Sequence, residues 1–210
     1  MGDVGILAGG ISNWEQVIQK SVVGDVVILA GGRLAHEAVK GLTAGPKAAS
    51  PTWVEFIGSV EEFKGGARPE LARQAHDLFL EQKWGELQAL FKGHNINGGY
   101  PPNDGFISTK TVTLEPGTTF DRFGGYRTPK GEFKDGGKFV APDDVPFEGR
   151  ALPESALGKE RHKYEVLKPI PDVKEGKAIP WFEQPGKGKQ YKLEDSIDDL
   201  KEAGYIKEIK

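Results

Sequence analysis

The sequence contains no cysteine among its 210 residues, and its histidines are few and far apart. A chain without cysteine has no disulfide, no thiolate nucleophile and no zinc site built on cysteine ligands. The spacing of the histidines does not match HExxH or a similar metal-binding pattern, and they are His36, His76, His94 and His162. We therefore expect no catalytic metal.

Long apolar runs and a strong excess of one charge are also missing. No run reaches the roughly 18 apolar residues that a membrane-spanning helix needs. The net charge of -3 argues against a general nucleic-acid binder, which needs a basic face that releases counterions. Near the N-terminus, Asp3 and several glycines stand where an ordinary signal peptide is basic. We expect no membrane span, no nucleic-acid partner and no ordinary signal peptide.

The first part of the chain has mainly helical patterns. The segment GDVGILAGG at 2–10 recurs at 24–32 as GDVVILAGG, and two copies are too few for a solenoid. Ser12 begins a helix with capping-box spacing, Pro69 opens an amphipathic helix, and Trp84 begins another that Gly93 is expected to stop. We assign residues 1–98 to a helical N-terminal region. Its role as a cap, a remnant of a delivery segment or a homodimer surface stays open.

The composition changes from residue 99 onward. Eleven of the fourteen prolines lie between Pro101 and Pro185, and short β-type runs alternate with Pro-Gly and Gly-Gly turns. The candidate strands are 111–114, 118–120, 163–167, 179–182, 190–193 and 205–209, and a short helix is expected at 196–203. Several short strands with helices apart from them predict an α+β fold, with a second domain at 99–210.

Arginines and aromatic rings are concentrated between Tyr100 and Arg150. Arg122 and Arg150 lie in a stretch with six phenylalanines, Phe106, Phe120, Phe123, Phe133, Phe139 and Phe147. A guanidinium matches a phosphate bidentately, and an aromatic face stacks on a base or a pyridinium. These parts suit a dinucleotide, although scattered arginines and phenylalanines are also ordinary surface and core residues of a β-rich domain.

Six motifs in chain order carry a family resemblance. They are YPPNDGF from Tyr100, TLEPGTTFDRFG from Thr113, GRALP from Gly149, HKYEVLKPI from His162, WFEQPGKGKQY from Trp181 and the closing AGYIKEI. Together they resemble the tuberculosis necrotizing toxin family of NAD glycohydrolases over residues 100–209. The resemblance implies a β-rich core distantly similar to ADP-ribosyltransferases, and hydrolysis of NAD, and of NADP as well, to nicotinamide and ADP-ribose. It also implies a secreted bacterial toxin, exported by a non-classical route into the target-cell cytoplasm, with a cognate inhibitory immunity protein.

The resemblance also names the site residues. Arg122 matches the arginine of the family's DRFG motif, and Arg150 matches that of its RALP motif. Gln190 matches the glutamine that closes a glycine-rich turn, and His162 a histidine that precedes a strand. The predicted catalytic residues are Gln190, Arg122 and His162. The predicted substrate-binding residues are Arg122, Phe123, Phe139, Arg150 and Gln190.

The chemistry is consistent with a site that has no pair of catalytic carboxylates. Nicotinamide leaves NAD as a neutral group, so it needs no general acid, unlike the leaving group of an ordinary glycoside. NAD is the substrate, and no further cofactor is expected. We expect Asp121, Asp143, Asp144 and Glu148 to be turn and loop carboxylates, and Gln184 to be a turn residue. An ADP-ribosyltransferase, an ADP-ribosyl cyclase and a non-catalytic binding module remain alternatives.

Overall fold

A computed structural model describes residues 48–210 of the chain. The repeated segment and the helix predicted from Ser12 lie outside these residues. The described residues 48–210 belong to one compact unit, which contains both the helical and the strand-rich parts. No helix within 48–210 is long and apolar enough to cross a membrane.

Within residues 48–210, three α-helices precede the strands. Helix α1 (Trp53–Gly58) begins with a capping box in which Thr52 and Glu55 exchange hydrogen bonds. Helix α2 (Pro69–Leu80) begins with proline at its first turn, as predicted, since the missing N–H has no partner there in any case. Helix α3 (Trp84–His94) continues past Gly93 and ends at Asn95, which adopts a φ of 51°.

Nine strands follow among the described residues, and all their pairings are antiparallel. They are β1 (Phe106–Leu114), β2 (Thr119–Phe123), β3 (Tyr126–Arg127), β4 (Phe133–Lys134), β5 (Phe139–Val140), β6 (Arg161–Val166), β7 (Ile170–Ala178), β8 (Lys189–Lys192) and β9 (Ile206–Ile209). One sheet has the order β1-β7-β8-β5, a second has β2-β6-β9, and β3 pairs with β4 in a small hairpin. Helix α4 (Ile197–Glu202) starts at a capping box formed by Ser196 and Asp199. The α+β class is confirmed, whereas the likeness to ADP-ribosyltransferases stays a prediction.

Two features of the second half differ from the prediction. Strand β7 was not predicted, because its sequence IPDVKEGKA carries a proline, a glycine and several charges. In the structure this strand is buried at only some positions. The predicted strand at 179–182 is wrong. The chain turns there, since Pro180 lacks an N–H and Phe182 has a φ of 53°. Gln184 is a turn residue, as predicted, and its backbone N–H donates to the carbonyl of Trp181.

The helices and strands share a hydrophobic core. Trp181, which follows β7, is buried among the aromatic side chains of the helices, and its ring centroid lies 5.7 Å from that of Phe91. Its indole N–H donates to the carbonyl of Gly99 at 2.8 Å. A second core fills the space between the sheets and α4. The change from helix to strand falls near residue 99, and the first core crosses it; the division into domains 1–98 and 99–210 stays a prediction.

Candidate active site

One cavity of about 450 Å³ collects most of the predicted site residues. Five of the six line it, namely Arg122, Phe123, Phe139, Arg150 and Gln190. They come from β2, β5, β8 and the 3-10 helix at 147–150, and Ser59 and several residues between Asn97 and Gly105 also line the cavity. A volume of this size is in the range of sites for small organic ligands.

Gln190 presents an amide to the cavity. It lies on β8 opposite Gly176 of β7, and its Nε2 donates to the carbonyl of Gly105 at 3.2 Å. Gly105 has a φ of 79°, and it lies close to the Gln190 amide, since a Cβ at Gly105 would be 3.6 Å from Nε2. Among the described residues no donor reaches the Oε1 of Gln190, so this oxygen is left to accept a hydrogen bond from a ligand.

Four aromatic side chains line the cavity. Phe139 is 39% exposed, and the ammonium of Lys192 lies 5.6 Å from the centroid of its ring. Phe123 is backed by the edge of Phe147. The prediction missed Tyr100 and Phe182, which also line the cavity and whose rings meet edge to face at 5.3 Å. Tyr100 opens one of the six motifs, and that position was the signal available in the sequence.

Arg150 is held by two acceptors. Its Nε and Nη2 donate to the carbonyl of Val145 at 2.9 and 2.8 Å, and its Nη1 donates to the carboxylate of Asp121. Asp121 is fully buried in β2, so its expected place in a turn or loop is wrong. Guanidinium groups bind both of its oxygens, which offsets the desolvation cost of a buried carboxylate. One N–H on each terminal nitrogen of Arg150 remains for a ligand.

The guanidinium of Arg122 fills a slot between two glycines. A Cβ at Gly137 would lie 1.8 Å from Nη1, and one at Gly124 would lie 2.1 Å from Nη2. Nη1 donates to the carbonyl of Phe139 at 3.0 Å. Nε lies 2.8 Å from Oδ2 of the buried Asp135, but its N–H does not point at that oxygen, so the contact is an ion pair without a hydrogen bond. Arg122 thus fixes the backbone of Phe139, and Nη2 is the donor left for a ligand.

His162 lies outside the cavity. Its Nδ1 is 2.7 Å from Glu208, its Nε2 is 3.2 Å from Glu160, and its ring stacks on Phe133 at 3.9 Å. Burial alone would raise the pKa of Glu208, but the hydrogen bond with His162 and the charges of His162 and Lys201 lower the pKa overall. His162 instead lines a crevice that is separate from the cavity. The geometry gives no support to the predicted catalytic role of His162.

The backbone is strained at several positions along the cavity. Asp104, Ala151 and Phe182 line it with φ values of 53°, 50° and 53°. Non-glycine residues seldom adopt this left-handed conformation, and such residues are concentrated at functional sites. Asp104 is further held by Lys192 at 2.7 Å. Within residues 48–210 no three His, Asp or Glu side chains are arranged to hold a metal ion.

Known proteins resemble the second half of the chain. Residues 113–209 match the family model described as tuberculosis necrotizing toxin. The conidial surface nicotinamide adenine dinucleotide glycohydrolase nadA of Aspergillus fumigatus is 33% identical over 124 residues, which cover 52% of this chain and 49% of that protein. The chain thus spans about half the length of this curated relative.

Two solved structures are also similar to the chain. Tuberculosis necrotizing toxin complexed with its immunity factor IFT has 22% sequence identity and a TM-score of 0.42, over 52% of this chain and 60% of that one. Tse6 in complex with Tsi6 has 18% identity and a TM-score of 0.30, over 49% of this chain and 72% of that one. On the family match, the strand-rich segment from residue 113 to residue 209 is a domain of the tuberculosis necrotizing toxin family.

Proposed function

We propose that the protein hydrolyses the bond between nicotinamide and ribose in NAD, and in NADP as well. Water adds to C1′ of the ribose, the pair of electrons in the C1′–N bond leaves with nicotinamide, and one proton passes to solvent. The products are ADP-ribose and neutral nicotinamide. The observation that carries the proposal is the cavity, which gathers Gln190, two phenylalanines and two arginines from the part of the chain that matches the family. The name of the Aspergillus fumigatus relative supports the same reaction.

Gln190 is the residue we place at the reacting sugar. The transition state has oxocarbenium character, and the site must fix the ribose and admit one water. The Gln190 amide is oriented by Gly105 and keeps an acceptor and one N–H for the ribose hydroxyls or the attacking water. A neutral amide suits this position because it orients the water without a fixed charge next to the departing pyridinium.

The remaining residues hold the two ends of the substrate. Phe139 and Phe123 wall the nicotinamide pocket, since an aromatic face attracts the positively charged pyridinium ring. Arg150 and Arg122 bind the diphosphate with the N–H groups that their protein partners leave free. Each charge-assisted hydrogen bond of this kind contributes about 1.5–3 kcal/mol.

The proposal extends to the setting of the enzyme. A protein that destroys NAD depletes the pool of the cell that makes it, so we propose a cognate inhibitory immunity protein. We also propose that the protein acts as a toxin in the cytoplasm of a target cell, after secretion by a non-classical route. No cofactor is needed, since NAD and water supply every atom of the products.

The test is to incubate the purified chain with NAD and separate the products by chromatography. We expect equal amounts of nicotinamide and ADP-ribose. Cyclic ADP-ribose, or ADP-ribose attached to a protein, would instead identify a cyclase or a transferase. Gln190→Ala should reduce kcat about 100-fold or more, in the range that a positioned polar group contributes. Gln74→Ala, which removes an exposed amide on α2, is the matched control.

A further inference from the structure

Arg161 does not line the cavity, but it contacts two residues that do, Asp121 and Phe123. It begins β6, its side chain is 49% exposed, and it faces the separate crevice that also contains His162. Its Nε donates to Oδ2 of Asp121 at 2.7 Å, and its Nη2 donates to the same oxygen. The other oxygen of Asp121 accepts from Arg150, which lines the cavity. One buried carboxylate therefore joins two guanidinium groups that face different cavities.

The charges of this cluster do not cancel. Asp121 carries one negative charge, and Arg150 and Arg161 carry two positive charges, which leaves a surplus of one. The ring of Phe123 lies close to both guanidinium groups, with its centroid 5.3 Å from the guanidinium carbon of Arg150 and 5.7 Å from that of Arg161. Without Arg161, Arg150 and Asp121 would form a neutral buried pair, and the carboxylate would oppose any phosphate that approaches Arg150.

We propose that Arg161 is a positioning residue for the substrate's diphosphate, which it favours by sharing Asp121 with Arg150. The inference rests on the proposed function, since it concerns the affinity of the same cavity for a dinucleotide. Two donors of Arg161 bind one oxygen of Asp121 and orient the carboxylate, so its other oxygen faces Arg150. Arg161 also supplies the positive charge that leaves Arg150 attractive to a phosphate.

The experiment compares R161Q, R161K and wild type in NAD hydrolysis and in calorimetric titration with ADP-ribose. R161Q should raise the KM for NAD and the Kd for ADP-ribose about tenfold, the effect of one partly screened charge, with kcat within about twofold. R161K keeps the charge but loses the planar fork, so its values should lie between the two. R127Q is the matched control, because Arg127 is an exposed arginine paired with Glu160 away from the cavity.

The double variant D121N/R161Q separates the electrostatic role from mere support of the fold. Removal of the opposing carboxylate should restore part of the ADP-ribose affinity that R161Q loses, whereas a purely structural role predicts a further loss. A further loss, or equal values for R161Q and R127Q, would overturn the inference. If R161Q does not fold, the comparison of R161K with R127K replaces it: a raised KM in R161K alone supports the inference, and equal values overturn it.

The two proposals can fail separately. Wild-type protein that hydrolyses NAD, beside an R161Q variant with wild-type KM, would reject only the role of Arg161. Wild-type protein that releases no nicotinamide would reject the proposed hydrolysis, and the titration with ADP-ribose would still test Arg161. Wild-type protein that neither hydrolyses NAD nor binds ADP-ribose would reject both.

Discussion

The slot that holds Arg122 gives a sharp prediction for Gly137→Ala. The added Cβ would lie 1.8 Å from Nη1 of Arg122, so the guanidinium must leave its place between Gly137 and Gly124. The side chain is long enough to swing away, and the cost is therefore the loss of its contacts rather than a backbone clash. These contacts are the ion pair with Asp135 and the hydrogen bond to the carbonyl of Phe139.

The magnitude follows from what the movement leaves behind. Asp135 is 1% exposed, and removal of one partner of a buried ion pair costs about 3–5 kcal/mol. The carboxylate keeps a hydrogen bond from the backbone N–H of Gly137 at 2.9 Å. We therefore expect Gly137→Ala to lower the free energy of unfolding by about 2–4 kcal/mol. The KM for NAD should also rise, because Phe139 loses the bond that fixes its carbonyl.

Gly136→Ala is the matched control. A Cβ at Gly136 meets no atom within 4 Å, and its backbone does not need a glycine. Urea unfolding followed by tryptophan fluorescence measures the free energy of unfolding of both variants, and the NAD assay measures KM. Equal stability and equal KM for the two variants would refute the account of the slot. Addition of Asp135→Asn to Gly137→Ala should recover part of the stability, since it removes the stranded charge.

Four further predictions test other parts of the structure. Burial lowers the pKa of His76 below 6.5, so protonation of this side chain favours the unfolded state as the pH falls through 6.5. In His76→Phe the free energy of unfolding should therefore decrease less between about pH 7 and 5. His162→Asn should keep kcat and KM for NAD within about twofold, and a loss of 100-fold in kcat would restore its catalytic role. Tyr100→Ala should raise KM for NAD several-fold with little change in kcat, because the ring lines the cavity and the proposed reaction gives it no role other than binding. Trp181→Phe should cost about 1–3 kcal/mol in urea unfolding, since it loses ring area and leaves the carbonyl of Gly99 without its donor.

The sequence predicted the elements that have strong local signals. Pro69 marked the start of α2 because its missing N–H suits the first turn, and the short helix expected at 196–203 is α4 (Ile197–Glu202). Strand β7 was beyond local reasoning, since its charged residues become a strand by pairing with β1 along most of its length. The site residues came from motifs, and the structure brings five of the six to one cavity.

Partners within the site could not be read from the sequence. Asp121 and Arg150 are 29 positions apart, and Arg161 reaches the same carboxylate over 40 positions. The pairing of β2 with β6 brings Arg161 to Asp121, whereas Arg150 comes from the 3-10 helix at 147–150. The sequence also gave no sign that Arg122 would be paired with Asp135, because the slot depends on two glycines from different segments.

The shared core has a practical consequence for anyone who shortens this chain. A fragment that starts at residue 99 would keep the cavity-lining strands, but it would strip Trp181 and Ile179 of the helical side chains that cover them. The uncovered indole of Trp181 and its apolar neighbours would form an exposed hydrophobic surface that promotes aggregation. A fragment made to express the strand-rich half should therefore include α1, α2 and α3.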